Sequence, residues 1–307
     1  MQDPVNEFPS KNKSWWTYPI LLLCVIIWGS NFIIGKVLVD HFDPYSITVI
    51  RLIAINLFLW LFASRHFHMP MVPLKVWLVI ISSGIIGIAV NQYTFFLGLV
   101  TASPVTSALI LAVAPIMTAI LTIPVFGERR GLKFWLGALL AFAGVSLSTF
   151  DGSALTFGLG EGIIVITMLT FAIFMILIQW LSQHINAIQL TLLSNFSGLL
   201  FLLPFLPAAD YGRLASSTWP MWLLLMLSGI IVHGISNMIW NREMPKVGAA
   251  NASLLMNMEP FVAMLGTALV LGSSVLVTEV IGAILIIGGV TLSIHRRRRS
   301  KTTVLYD

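Results

Sequence analysis

Charge is what this sequence has least of: 9% of its 307 residues are Asp, Glu, Lys or Arg, against roughly 25% in a typical soluble domain. A water-facing shell cannot be assembled from so few charges, which excludes a soluble globular protein. Cysteine is nearly missing too. The single Cys24 lies inside an apolar run, so no disulfide framework is possible. His66 and His68 stand in a loop without a ligand cluster, no P-loop lysine follows Gly158-Leu159-Gly160-Glu161-Gly162, and no Ser/His or His/Asp constellation is visible. Neither a metal site, a cofactor nor an enzyme is expected. Nucleic acid is not a partner either, because the net charge of +5 resides beside the ends of apolar runs.

What the chain does have is hydrophobic surface, 58% of its residues. A bilayer-spanning helix takes about 20 apolar residues, and about ten such runs fill the chain. They are read as Tyr18 to Val39, Tyr45 to Ala63, Val76 to Val100, Pro104 to Phe126, Phe134 to Phe150, Gly160 to Leu181, Ala187 to Leu206, Trp219 to Trp240, Gly248 to Leu271 and Val280 to Ile294. The fold class is therefore an all-α membrane protein. The first run is too long for a signal peptide and is read as a retained helix. With the amino terminus in the cytoplasm, the inner segments collect Lys11, Lys13, Arg65, Lys75, Arg129, Arg130, Lys133, Arg242, Lys246, Arg296 to Arg299 and Lys301, while the outer loops hold only Arg213. That asymmetry puts both termini in the cytoplasm.

A shift of 145 residues superimposes Leu109 on Leu254, Pro115 on Pro260, Thr122 on Thr267, Gly127 on Gly272, Gly137 on Gly282, Gly144 on Gly289 and Ser148 on Ser293. Registered proline and glycines indicate a duplicated backbone. Residues 1–17 form a tail, 18–150 and 160–294 the two repeats, and 295–307 a basic tail. Each repeat holds an odd number of spans, about five, so the second enters the bilayer inverted. Such five-plus-five repeats belong to alternating-access carriers, whose substrate lies near the midplane between halves.

An ionisable group in hydrocarbon costs roughly 3 kcal/mol or more and is a functional candidate by default. Glu259 is placed near the middle of the ninth span, where it is a candidate proton carrier or partner for a substrate ammonium. Its neighbour Asn257 points about 200° away on an unbroken helix. Lys36 and Arg51 lie toward the outer ends of the first two spans: Lys36 either snorkels to the interface or meets substrate, and Arg51 suits a carboxylate. Trp28, Asn31, Phe32 and Gly35 share one face of the first span, and His233, Ser236, Asn237, Trp240 and Asn241 one face of the eighth. Polar stripes of this kind face a wet cavity or another helix. Asn91, Gln92 and Tyr93 add amide and phenol groups in the third span. Ser194 and Asn195 in the seventh are read as interhelical bonding groups.

Trp28-Gly29-Ser30-Asn31-Phe32 followed by Lys36, Asp43-Pro44, Arg51, Asn91-Gln92, Pro115 with Gly127-Glu128, and Met258-Glu259-Pro260 with Gly272 resemble, in that order, the EamA-type branch of the drug/metabolite transporter superfamily. The resemblance implies a ten-helix inverted fold and export of amino acids or other small metabolites across the bacterial inner membrane. One departure is that Ser273, not Glu, follows Gly272. The expected partners are a small-molecule substrate, the lipid bilayer and protons. The alternatives are a broad exporter of lipophilic cations and, further off, a membrane-embedded enzyme or receptor.

Overall fold

The computed structural model describes residues 16–63, 65, 67–126, 131–149, 157–247 and 255–294. Lys11, Lys13, His66, Gly127, Glu128, Arg129, Arg130, Asp151, Arg296 to Arg299 and Lys301 lie outside them, as do the side chains of Asn241 and Lys246. Among the described residues all regular structure is helical. In hydrocarbon each backbone polar group must be satisfied within its own segment, and apolar runs therefore fold as helices.

In chain order the helices are α1 (Thr17–His41), α2 (Pro44–Ala63), α3 (Leu74–Gly84), α4 (Asn91–Leu99), α5 (Pro104–Leu111), α6 (Ala114–Phe126), α7 (Leu132–Ser148), α8 (Leu159–Leu181), α9 (Ala187–Leu202), α10 (Tyr211–Ser216), α11 (Trp219–Gly229), α12 (Ser236–Val247), α13 (Glu259–Val270) and α14 (Val277–Ile294). Among the described residues seven helices or joined pairs are long and apolar enough to cross a membrane, and three apolar helices are shorter. The outer surface confirms the solvent: Leu57, Leu61, Leu139 and Leu269 are exposed while Thr48, Arg51, Ser83 and Ser107 are sealed inside. Such a distribution is stable only where the surroundings are as apolar as leucine.

Polar caps set several helix starts. Ser103 accepts from Thr106 N at 3.0 Å ahead of Pro104, Asn186 and Gln189 cap each other at the start of α9, and Asp43 accepts from the Tyr45 and Ser46 amides. Gly272, with φ of 64°, follows α13 in the left-handed conformation that a side chain resists.

Two spans read as continuous helices are interrupted. Proline removes a donor and collides with the carbonyl four residues back. Helix α5 accordingly stops at Leu111, four residues before Pro115, and α6 resumes at Ala114. The bonds Val113 N to Ile110 O (3.2 Å) and Ile116 N to Val113 O (3.0 Å) recur at the 145-residue shift as Met258 N to Leu255 O (2.9 Å) and Phe261 N to Met258 O (3.1 Å). Glu259 therefore opens a helix after a turn instead of sitting inside an unbroken one, and the 200° separation expected between it and Asn257 does not apply. Two further irregularities obey the same shift. The wide π-helical turn Ile85–Val90 joins α3 to α4, and Ile230–Ile235 joins α11 to α12.

The packing also exchanges the halves of the chain. Helix α1 rests on α12 and α13, whereas α8 rests on α4 and α6. Helices α2 and α9 pack together, α2 taking α11 and α9 taking α3. The most extensive pairing is α7 against α14, antiparallel and nearly backbone to backbone. A Cβ on Gly144 would stand 2.7 Å from the Gly282 carbonyl oxygen, and a Cβ on Gly282 would stand 2.7 Å from that of Gly144. Gly137 and Gly289 face each other in the same way.

Candidate functional site

The seam between α1, α2 and the second π turn holds a group that hydrocarbon should not tolerate. Arg51, on α2, is fully buried. A lone charge there costs several kcal/mol to desolvate, so every partner matters. Both terminal nitrogens donate to Oδ1 of Asn31 at 3.0 Å, and Nη2 lies 3.1 Å from His233 Nδ1. For that contact to be a hydrogen bond His233 must be neutral with its proton on Nε2, because Arg has no acceptor. The Phe96 ring lies 5.0 Å from the guanidinium carbon, a cation–π contact worth about 2 kcal/mol when desolvated. Nε–H has no partner, and no carboxylate forms an ion pair with Arg51 among the described residues.

Backbone geometry places these groups. Gly229 ends α11 against Arg51, where an added Cβ would stand 3.3 Å from both the Arg51 Cβ and its carbonyl oxygen. Close approach of α11 to α2 needs a residue this small. The π turn that follows carries His233 and frees carbonyls from the regular ladder. Trp28 Nε1 donates to one of them, Val232 O, at 3.1 Å, and Ser236 Oγ donates to another, Ile231 O, at 2.9 Å. Trp28 also packs on Trp240 with centroids 4.8 Å apart, closing the cluster on the α12 side. Phe32 meets Phe95 at 5.4 Å and extends the aromatic wall along α4. On the bilayer side a groove of about 420 Å³ runs between α1 and α11, with Ser228 and Val232 in its lining.

The sequence candidates therefore divide. Trp28, Asn31, Phe32, Arg51, His233 and Trp240 converge on one seam. Gln92 is buried with its Oε1 unpartnered, one helical turn before Phe96 on α4. Asn237 lies one turn beyond His233, half-buried, with no hydrogen bond to any described residue. Glu259, half-buried, opens α13. Its side chain has no partner among the described residues, and its carbonyl approaches Gly29 on α1. The other three sit apart. Lys36 donates to Leu99 O at 2.8 Å and Val100 O at 3.0 Å, capping the end of α4. Asn91 ties α4 to α8 through Thr167 O (2.8 Å) and Thr170 Oγ1 (2.9 Å), and Tyr93 packs on the apolar cluster of α2 and α9. Ser194 serves interhelical bonding, pairing with Ser83 at 2.7 Å, whereas the Asn195 side-chain amide donates to Thr191 O at 2.9 Å within its own helix and only its backbone carbonyl meets α2, accepting from Asn56.

Sequence reasoning missed Phe96, Gly229 and Asn56. The first shares a face with Gln92 four residues earlier, a spacing that was legible. Gly229 stands one repeat shift after Gly84, which itself lies against Ser194, so the duplication pointed to a close approach there. Nothing in the sequence singled out Asn56, whose Oδ1 is buried without a donor.

Comparison with known proteins places this geometry in context. The profile of the EamA-like transporter family matches the chain twice, over residues 15–150 and 158–294. The uncharacterized transporter YyaM of Bacillus subtilis is 28% identical over 293 residues, covering 89% of this chain and 92% of that protein. A "probable terminal-alkyne amino-acid exporter" of Streptantibioticus cattleyicolor is 22% identical, covering 92% and 96%. A "probable amino-acid metabolite efflux pump" of Salmonella typhimurium is 25% identical over the same shares, 92% and 96%. One crystal structure superposes with a TM-score of 0.60 at 18% identity, covering 91% of this chain and 96% of its own, a likeness of fold.

Proposed function

This chain belongs to the EamA-like transporter family, a multi-pass membrane transporter and not an enzyme, and from that premise we propose that it exports amino acids or related small metabolites by alternating access. In this reading ten helices form two five-helix halves, 18–150 and 160–294, inserted in opposite orientation in the bacterial cytoplasmic membrane with both termini inside. The observation that carries it is the exchange of partners between halves: α1 on α12 and α13, α8 on α4 and α6, and the reciprocal Gly144–Gly282 approach. Antiparallel halves related in this way can rock about a shared seam, and that seam holds Arg51, Asn31 and His233.

The names of two relatives favour amino-acid cargo. A carrier of lipophilic cations is disfavoured by a buried, unneutralised guanidinium at the seam. Glu259, half-buried and without a partner among the described residues at the start of α13, suits a proton carrier, so protons are the proposed driving ion. Counterflow in liposomes is the test: purified chain, loaded with unlabelled amino acid, should accumulate the labelled form from outside. Absence of exchange for every proteinogenic amino acid and for their simple derivatives would end the substrate reading. Cysteine labelling that put the two termini on opposite sides would end the topology.

A further inference from the structure

Arg51 has the chemistry of half an ion pair. Its guanidinium is sealed from solvent, its terminal nitrogens lean on the neutral acceptors Asn31 and His233, and its Nε–H finds no acceptor among the described residues. Structural arginines in a membrane interior are usually neutralised by a carboxylate, and among the described residues none pairs with this one. A guanidinium matches a planar oxyanion through two parallel N–H···O bonds, better than it matches a single amide oxygen shared by both terminal nitrogens. The arrangement is complete enough to hold the side chain and incomplete where an anion would sit.

Gln92 supplies a second unfilled position. Its Oε1 is buried without a donor, and it stands one turn from Phe96, the ring that lies 5.0 Å from the guanidinium. The α4 face turned to Arg51 thus offers an acceptor where Arg51 offers a donor. An empty donor and an empty acceptor on facing helices suit a molecule that carries a carboxylate beside an N–H group.

We propose that Arg51 is the carboxylate receptor of this carrier, and that the transported molecule bears a carboxylate which takes the guanidinium over from Asn31 and His233. The Oε1 of Gln92 receives an N–H of the same molecule. This rests on the carrier reading above and narrows its substrate class: compounds lacking the carboxylate are rejected, and cations most of all, because like charges repel strongly at low dielectric.

The test uses the unaltered full chain first. Thermal unfolding of the purified protein is followed with all proteinogenic amino acids and simple monocarboxylates, each beside its decarboxylated amine and its methyl ester, with tetraphenylphosphonium included. A ligand that prefers the folded state raises the apparent Tm. At least one carboxylate should stabilise, and its amine and ester should need at least tenfold higher concentration for the same shift. Equal stabilisation by an amine, an ester or the phosphonium overturns the proposal, and so does a panel in which no carboxylate acts.

Arg51→Gln and Arg51→Met should then fold, as judged by a cooperative transition, and lose the carboxylate response at least tenfold. A response of wild-type strength in either folded variant is the contrary result. Counterflow separates this inference from the amino-acid reading. Exchange of 4-methylpentanoate but not leucine would remove amino acids as cargo and leave Arg51 in its role. Leucine exchange inhibited equally well by isoamylamine would do the reverse.

Discussion

Gly282→Ala and Gly288→Ala lie on one face-to-face pair of helices yet should act with opposite sign. In isolation each substitution favours a helix by about 1 kcal/mol, because alanine loses less backbone entropy than glycine. At Gly288 nothing opposes that gain, since a Cβ there would meet only Leu140 Cδ2 at 3.8 Å, ordinary contact. At Gly282 the new carbon would stand 2.7 Å from the Gly144 carbonyl oxygen and 3.0 Å from Ser148 Cβ. A comfortable C···O approach is about 3.3–3.6 Å, so α14 must back away from α7 by about half an ångström or more. Backbone cannot rotate aside as a flexible side chain can, and overpacking of this kind costs about 1–3 kcal/mol. In lipid no hydrophobic force between helices compensates for looser packing. The net expectation is a loss of up to about 2 kcal/mol for Gly282→Ala and a gain of up to about 1 kcal/mol for Gly288→Ala. Gly144→Ala, its reciprocal partner, should match Gly282→Ala within about 0.5 kcal/mol, and the double variant should cost less than the sum, because one separation of the helices relieves both. Tryptophan fluorescence during thermal unfolding in detergent reads all four. Equal Tm for the Gly282 and Gly288 variants would show that the α7–α14 approach does not govern stability.

Four other outcomes are expected. Asn31→Leu should destabilise by about 3–5 kcal/mol by stranding the Arg51 charge, whereas Arg51→Met with Asn31→Leu should recover most of that loss; a double-mutant cycle on Tm with no coupling would contradict the arrangement. Trp28→Phe removes the donor to Val232 O and should cost about 1–2 kcal/mol, measured by the same unfolding assay, with Trp240→Phe smaller because it donates no such bond. Lys36→Met should lower stability by about 1–2 kcal/mol through loss of the cap on Leu99 and Val100 while leaving the carboxylate preference in counterflow unchanged; an altered preference would assign Lys36 to the substrate. Glu259→Gln should abolish uphill transport driven by an imposed pH difference and retain counterflow, and persistent uphill transport would remove the carboxylate from coupling.

Much of the fold was legible because hydrocarbon leaves a chain few choices. Apolar run lengths point to the helices, seven of which, single or joined, are long and apolar enough to cross a membrane among the described residues, and the registered prolines and glycines point to a duplication in line with the twofold family match. The interruptions were not legible in the same way. Pro115 and Pro260 mark the two broken spans, yet apolar run length reads both as continuous, since a proline in a membrane helix can either kink it or end it. The π turns at Ile85–Val90 and Ile230–Ile235 lie inside uniformly apolar segments whose periodicity gives no warning, and only the glycines ahead of them hint at a change. Among the site candidates, the stripes on the first and eighth spans contain Trp28, Asn31, His233 and Trp240, which the fold gathers at one seam. Lys36 and Asn91 looked equivalent to them in sequence and turned out to be occupied by helix ends and neighbouring helices, because type and depth do not say which neighbour a side chain meets.

Composition alone settled that this chain lives in a bilayer, since with 9% charge no arrangement of it could be wetted on all sides. The repeat, too, is a property of the string, for the 145-residue shift needs no coordinates. Tertiary structure decided what the intramembrane charge meets: that Arg51 finds two neutral acceptors and an aromatic ring, and no carboxylate among the described residues, depends on α1, α2, α4 and the second π turn converging from positions 20 to 182 residues apart. Separation of that size cannot be read as contact from sequence, because the burial energy that draws the helices together is shared across whole faces and specifies no single pair.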